Sequence, residues 1–167
     1  NGNTSLVVCL TDLHCGIDVK NNWNEYNPDI LRQMLISYIN KIIEIGLRHD
    51  ASDCIVIGSE LTSGIIHKNL RIQNNQDIID QFLTVTDYVC EFLAALSEKF
   101  NTVKFYVAPG NHGRINPKRE ESLEHENTDN LVVPFIRAKM QLFPNIQICD
   151  NTVDPGIVTT SVYGYNV

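Results

Sequence analysis

The sequence predicts an α/β fold in which βαβ units build a mainly parallel sheet. Short apolar, β-branched runs alternate with long stretches of helical periodicity, which is the order expected of such units. Three of the predicted strands are followed by polar clusters, reading TDLH, GSEL and APGNHG. Ligand sites in parallel sheets form outside the carboxyl ends of the strands. We therefore expect the three clusters to meet at one edge of the sheet.

The first elements of this pattern are a strand and a long helix. Residues 5–11, SLVVCLT, form a continuous apolar and β-branched run, typical of a strand covered on both faces. Residues 27–49 begin with Asn27 as a capping candidate and Pro28 at the first helical position. Because apolar residues then recur every three or four positions, this stretch predicts an amphipathic helix.

The middle of the chain repeats the order of strand and helix. Residues 53–58, DCIVIG, predict a second buried strand, and residues 59–75 a loop. A second helix is predicted roughly over 76–99, again from its apolar periodicity. The third strand, residues 103–108, ends directly before PGNHG.

The last part of the chain predicts a loop, a helix and two strands. The polar segment 113–127 is typical of a long loop. Residues 128–143 predict a shorter helix capped by Thr128, with Pro134 in its first turn or at a kink. Residues 145–150 and 156–164 predict the two strands.

Length and composition restrict the class of protein. A chain of 167 residues suits one domain, so we treat 1–167 as a single domain. Its net charge of −7 argues against broad coating of nucleic acid, although a local basic rim is compatible with it. No apolar run has the length of a membrane span, so no membrane partner is expected. Five scattered cysteines without a C-x-x-C motif favour reduced, mostly buried thiols in a cytosol-like compartment.

The three polar clusters contain side chains that can bind divalent metals. They contribute oxygen and imidazole donors from Asp12, His14, Glu60, Asn111 and His112. Carboxylates and imidazoles suit Mn, Fe or Zn. Two such ions bridged by a carboxylate clamp a phosphate and generate a hydroxide nucleophile, and an unligated histidine nearby can protonate the leaving oxygen.

At these residues the chain resembles the calcineurin-like metallophosphoesterases, especially phage and bacterial members similar to repair exonucleases. The family order is D-x-H, G-D, G-N-H-(D/E), an isolated H and G-H-x-H. Residues 12–14, Asp-Leu-His, match the first motif, and residues 110–112, Gly-Asn-His, match the third. Gly113 stands where the family often has an acidic residue.

The resemblance implies a role for each matching residue. Asp12 and His14 would hold the first metal. Asn111 would bind the second metal and touch the phosphate. His112 would act as the general acid or would stabilise the transition state.

The second motif departs from the family, because the chain reads GSELTSG where the family has Gly-Asp. If the downstream Leu-x-Ser-Gly sets the register, Glu60 takes the place of the bridging aspartate. If Gly58 sets it, Ser59 occupies that position and the bridge is lost. We favour Glu60 because a carboxylate preserves the chemistry.

The resemblance also implies the extent of the fold and the activity. It covers about two-thirds of a four-layer α/β/β/α sandwich, and the sequence ends before the family's C-terminal histidines. The implied cofactors are two divalent ions, Mn favoured over Fe or Zn, with the second site incomplete. The implied reaction is hydrolysis of a phosphoester, most of all a phosphodiester in DNA, by metal-bound hydroxide. We expect weak, single-metal binding and little activity from this chain alone, and a location in the host cytoplasm if it is phage-encoded.

A second function remains open at this stage: a degenerate, non-catalytic binding or assembly module with the same fold. The GSEL departure and the missing histidines favour it.

Basic side chains follow the strand-end motifs and predict an anion-binding rim. The candidates for substrate binding are Arg114, His67 and Arg71. The alternatives are structural loop contacts for His67 and Arg71 and a solvated charge run for Arg114.

Overall fold

The computed structural model describes residues 4–123 and 125–166, and its centre is a four-stranded parallel sheet. The strands lie in the spatial order β1 (Thr4–Thr11), β4 (Ala51–Ser59), β5 (Thr102–Val107) and β6 (Ile146–Ile148). The helices that connect them are α1 (Pro28–Arg48), α3 (Ile78–Ser97) and α4 (Thr128–Lys139). The predicted α/β fold with βαβ units is confirmed.

All three long helices lie on one face of the sheet. The four strands follow one another in chain order, and right-handed crossovers in that order place every helix on the same side. Accordingly α3 packs between α1 and α4 and also contacts β5. The hydrophobic core lies between this helical layer and the sheet, and its largest fully buried side chains include Phe92, Leu93 and Leu96 of α3 and Phe105 of β5.

The prediction that the first strand is covered on both faces is wrong. Val8 and Leu10 are buried, whereas Val7 is 49% exposed and Cys9 is also exposed. The cause is topological. Among the residues that the structure describes, β1 is an edge strand whose one partner is β4, and the long helices cover one face. The cysteine prediction holds in part, since Cys9 is exposed and the buried thiols are those of Cys15, Cys54 and Cys90.

Short elements fill the connections between these strands and helices. A hairpin, β2 (Val19–Lys20) and β3 (Glu25–Tyr26), precedes α1. A short helix, α2 (Lys68–Gln73), interrupts the predicted loop 59–75, and a 3₁₀ turn (Arg119–Glu121) lies in the predicted loop 113–127.

The predicted strand over 156–164 is wrong. Only β7 (Ser161–Val162) forms there, and it pairs with β8 (Tyr165–Asn166) rather than with the main sheet. The positive φ angles of Tyr163 (49°) and Gly164 (86°) turn the chain back after two residues. This turn, and not the partial alternation of the sequence, decides the local structure.

The helix starts show which capping predictions hold. Asn27 caps α1 as predicted, because its side chain accepts a hydrogen bond from the Ile30 N–H at 3.0 Å. The cap of α4 is Asn127 instead of Thr128, and the Thr128 hydroxyl pairs with that of Thr62 at 2.8 Å. Pro134 lies inside α4 beyond its first turn, and α4 ends earlier than predicted.

Candidate metal centre

The three polar clusters meet at the carboxyl edge of the sheet, as predicted. The N–H groups of Asp12 and His14, after β1, donate to the carbonyl oxygens of Ser59 and Glu60, at 3.2 and 3.1 Å. The loop after β5 approaches from the other side of β4, and its His112 N–H donates to the Glu60 carboxylate at 3.0 Å. The residue that joins the two loops is therefore Glu60.

Three side chains at this edge form a candidate metal site. Ligand atoms of His14, Glu60 and His112 all lie within 4.8 Å of one another, and each residue is half-buried. We call these residues the His–Glu–His cluster. Two imidazoles and one carboxylate are ligands that Zn, Mn and Fe accept. The cluster fits one divalent cation, with open coordination positions for water or substrate.

The backbone of the site is strained. Asp12, His14 and Glu60 have positive φ angles of 59°, 41° and 50°, which is uncommon for residues with a side chain. They account for three of the five such non-glycine residues that the structure describes. Each costs on the order of 1–3 kcal/mol, and strain of this kind concentrates at functional sites. The strain supports a functional role for this edge of the sheet.

The Glu60 carboxylate is held in place by the loop after β5. Its two oxygens accept the N–H groups of Asn111 and His112, at 2.6 and 3.0 Å. Gly110 makes room for it, because a Cβ at that position would lie 2.2 Å from the Glu60 Cδ. A carboxylate has about four lone-pair sites, so two remain for a cation. Ser59 pairs within the sheet, opposite Thr11.

The surroundings of His14 suit a metal ligand. Burial, and next the neighbouring His112, lower its pKa, so the imidazole is neutral at pH 7. Its Nδ1 is buried and has no hydrogen-bond partner within the described residues. Its Nε2 lies 3.7 Å from a carboxylate oxygen of Asp12, whose side chain is 73% exposed. Asp12 therefore lies beside the cluster, at its solvent side.

His112 lies in the middle of a row of three imidazoles. Its ring centroid is 4.5 Å from that of His14 and 4.7 Å from that of His67. Its Nδ1 lies 3.2 Å from the carbonyl oxygen of Ser63. The ring is thus fixed by one nitrogen, and the other remains available for a metal or a substrate. The structure places the predicted acid His112 within the His–Glu–His cluster itself.

Two of the three substrate-binding candidates lie at the site. His67 contacts His112, and the Arg114 Nε donates to the carbonyl oxygen of Asn111 at 3.0 Å. Arg71 is exposed and lines a different cavity, beside Gln76. Within the described residues, the structure therefore brings His67 and Arg114, but not Arg71, to the cluster.

The N-terminus of α4 holds together the loop after β4 and the loop after β5. The sequence analysis missed this contact. We call residues Asn127, Thr128 and Asp129 the α4 clamp. Asn127 Nδ2 donates to the Gly110 carbonyl at 2.7 Å, and Asp129 accepts the N–H groups of Gly110 (2.9 Å) and Leu61 (3.3 Å). All three clamp residues are buried. The run NTD before an apolar stretch signals a helix start, but it does not reveal what the start contacts.

The clamp explains why residue 113 is a glycine. A Cβ at position 113 would lie 2.2 Å from Asn127 Oδ1 and 2.9 Å from the Thr128 hydroxyl. The clamp therefore occupies the space that an acidic side chain after Gly-Asn-His would need. Asp129 supplies a buried carboxylate from a different element. Burial and, to a smaller extent, the charge of Glu60 together raise its pKa to about 6, against the lowering effect of its backbone N–H partners.

Comparison with known proteins identifies a distant relative. No protein-family model matches the chain. The chain is 21% identical over 165 residues to the SPbeta prophage-derived uncharacterized protein YonJ of Bacillus subtilis (strain 168). The alignment covers 96% of this chain and 40% of that protein, so the chain spans less than half the relative's length. Across the part of the chain that the structure describes, no helix combines the length and apolarity needed to cross a membrane.

Proposed function

We propose that this protein is a metal-dependent phosphoesterase of the phosphodiesterase or nuclease type. The observation that carries the proposal is the His–Glu–His cluster, whose ligand atoms lie within 4.8 Å at the carboxyl edge of a parallel sheet. A bound divalent cation would polarise a phosphoryl oxygen and lower the pKa of a water molecule. The strained backbone of Asp12, His14 and Glu60 supports the same assignment.

The protein's own residues would divide the work between binding and proton transfer. Glu60 and His14 hold the cation, with Asp12 beside His14 at the solvent side. Asn111 stands on the exposed side of the loop, where it can contact a phosphate oxygen. His112 is fixed through Nδ1 by Ser63 and has one other ring nitrogen. That nitrogen would either complete the ligand set of the cation or, where His112 stays off the cation, donate a proton or stabilise the transition state. The proposed substrate is a phosphodiester, with DNA as the proposed macromolecular partner.

The structure supports one cation per chain more strongly than two. The described residues gather three ligand side chains in one group, which is enough for a single ion with open positions. We therefore propose one divalent ion, with Mn²⁺ favoured, and a second site that these residues leave incomplete.

One observation favours the alternative of a non-catalytic binding or assembly module. Both oxygens of the Glu60 carboxylate already accept backbone N–H bonds, so the loop is satisfied without a cation. In that case Glu60 would serve only to join two loops. A carboxylate oxygen of Glu60 nevertheless lies within 4.8 Å of ligand atoms of both His14 and His112, which is the proximity that a metal site requires.

Calorimetric titration with Mn²⁺ tests the proposal. We expect one site in the wild-type chain, and affinity at least about tenfold weaker in His14→Ala and Glu60→Gln, because each loses a charged or imidazole ligand. His49→Ala, which removes an exposed histidine at the end of α1, serves as the matched control and should bind like wild type. Hydrolysis of bis(p-nitrophenyl) phosphate with Mn²⁺ then separates the two functions. Absence of Mn²⁺ binding would overturn the metal site; binding without hydrolysis would favour the module.

A further inference from the structure

A cavity of about 660 Å³ adjoins the candidate metal centre. Its walls are the loop 109–111, the loop after Gly113, and residues 154–156. Small-molecule sites have volumes of roughly 300–1,000 Å³, so the cavity has room for a group much larger than one phosphate. Asn111 belongs both to this wall and to the loop that holds Glu60, so the cavity and the cluster share a border.

Arg114 presents a fixed cation in the wall of this cavity. Its Nε donates to the Asn111 carbonyl at 3.0 Å, which holds the guanidinium against the loop of the candidate site. Its Nη1 is buried and has no hydrogen-bond partner among the residues described. A buried charged donor without an acceptor is unfavourable, and guanidinium groups pair readily with phosphate oxygens. An anion entering the cavity would relieve that cost after a small local adjustment.

The rest of the lining suits a nucleotide better than a lone anion. Arg119 adds a second positive charge, while Leu123 and Pro155 add apolar surface. The acidic side chain in this wall, Asp154, accepts the Gly156 N–H at 2.7 Å. Nucleotides combine a phosphate with a flat base, and arginine and apolar side chains bind both parts. Inorganic phosphate would leave the apolar part of the wall unused.

We propose that this cavity binds the nucleotide next to the scissile phosphodiester, with Arg114 on that nucleotide's phosphate. The inference rests on the proposed function, because it takes the scissile phosphate to lie at the His–Glu–His cluster. The preferred substrate is then a strand with at least two phosphates, and a lone phosphomonoester is a poor one.

Binding of short dinucleotides in EDTA tests this inference without hydrolysis. The probes are dTpdT and its two forms with an extra phosphate at the 5′ or the 3′ end, and calorimetry gives each affinity. We expect the wild-type chain to bind one phosphorylated form about tenfold more tightly than dTpdT. Arg114→Ala should abolish this preference, and Arg114→Lys should retain part of it, because lysine keeps the charge without the planar fork.

Arg48→Ala is the matched control, because it removes one positive charge from the exposed end of α1, where Arg48 pairs with Glu44. It should keep the wild-type preference. Equal affinity of wild type for all three probes, or an equal loss of the preference in Arg48→Ala and Arg114→Ala, would overturn the subsite.

Cleavage assays with Mn²⁺ distinguish the failure of the subsite from the failure of the proposed function. Cleavage of dTpdT without a phosphate preference supports the phosphoesterase and overturns the subsite. A preference without cleavage of any probe supports phosphate binding by Arg114 in this cavity, but overturns the phosphoesterase and with it the assignment of the cavity as a subsite beside a scissile bond.

Discussion

Asp129 shows how a single residue far from the strand-end motifs shapes the candidate site. Its carboxylate is fully buried and accepts N–H groups from the loops that carry Glu60 and His112. Those loops are also joined through Glu60 itself and through the contact of His112 Nδ1 with the Ser63 carbonyl oxygen. Two carboxylates thus lie in one small region of the protein. Burial raises the pKa of Asp129, and repulsion from the charge of Glu60 adds to this rise.

This arrangement predicts a pH-dependent stability that Asp129 controls. Folding raises the Asp129 pKa from 3.8 to about 6, so the folded state keeps a proton that the unfolded state has already released. The contribution of Asp129 to the free energy of unfolding is therefore full below about pH 4 and is lost as the pH rises through 6. A shift of about two pKa units corresponds to roughly 3 kcal/mol. Between pH 4 and 7, the stability of wild type relative to Asp129→Asn should fall by an amount of this order.

Urea unfolding of both proteins at several pH values between 4 and 7 measures this difference. Asp80→Asn is the control, since Asp80 is an exposed carboxylate on α3 and remains in solvent in both states. Its difference from wild type should change several-fold less over the same range. A stability difference between wild type and Asp129→Asn that stays constant, or grows as the pH rises, would contradict the assignment.

At the scale of elements, α4 combines a functional start with a costly interior. Its N-terminus forms the clamp, yet Pro134 lies inside the helix. Proline has no N–H, so the carbonyl of Asn130 lacks its helical donor. The Nδ2 of Asn130 is also buried without a partner in the described part of the chain. The helix is therefore weakened one turn after the residues that hold the site.

Replacement of Pro134 by alanine should stabilise the protein. The substitution restores the N–H that Asn130 lacks and removes a residue that costs up to about 3 kcal/mol in a helix interior. We expect the free energy of unfolding to rise by about 1–2 kcal/mol, because the more flexible unfolded chain offsets part of the gain. Pro28→Ala is the matched control. At the first helical position no N–H is needed, so its effect should stay within about 0.5 kcal/mol. Equal effects of the two substitutions in urea unfolding would show that α4 tolerates Pro134 without cost.

The elements also show what could be predicted from the sequence and what could not. Local sequence signals were sufficient to predict the start of α1 at Asn27 and Pro28. They also predicted the three strands whose carboxyl ends share one edge of the sheet. The α4 clamp was not predictable, because its partners, Gly110 and Leu61, lie far from it in sequence. Helix α2 was not predictable either, because its short sequence has no helical periodicity.

At the scale of the molecule, the three long helices among the described residues all lie on one face of the sheet. On the opposite face the segment after β6 contacts the middle strands, where the Tyr106 hydroxyl donates to Thr160 at 3.1 Å. Ile55 on this face is buried, but Val7 at the β1 edge is half exposed. Within the described residues, the two faces of β1 therefore have different environments. This difference follows directly from the order of the strands.

Two neighbouring valines of β1 test this one-sided architecture. Val8 is 3% exposed and faces the helices, whereas Val7 is 49% exposed and faces the opposite side. Threonine keeps the shape and the β-branching of valine and adds a hydroxyl, which costs about 1–3 kcal/mol where it is buried without a partner. Val8→Thr should therefore lower the free energy of unfolding by about that amount, and Val7→Thr by less than about 0.5 kcal/mol. Urea unfolding of wild type and both variants measures the two losses of free energy. The comparison requires that the free energy of unfolding falls equally steeply with urea concentration in all three proteins. A cost for Val7→Thr as large as that for Val8→Thr would show that a further layer covers this face in solution, such as a second copy of the chain.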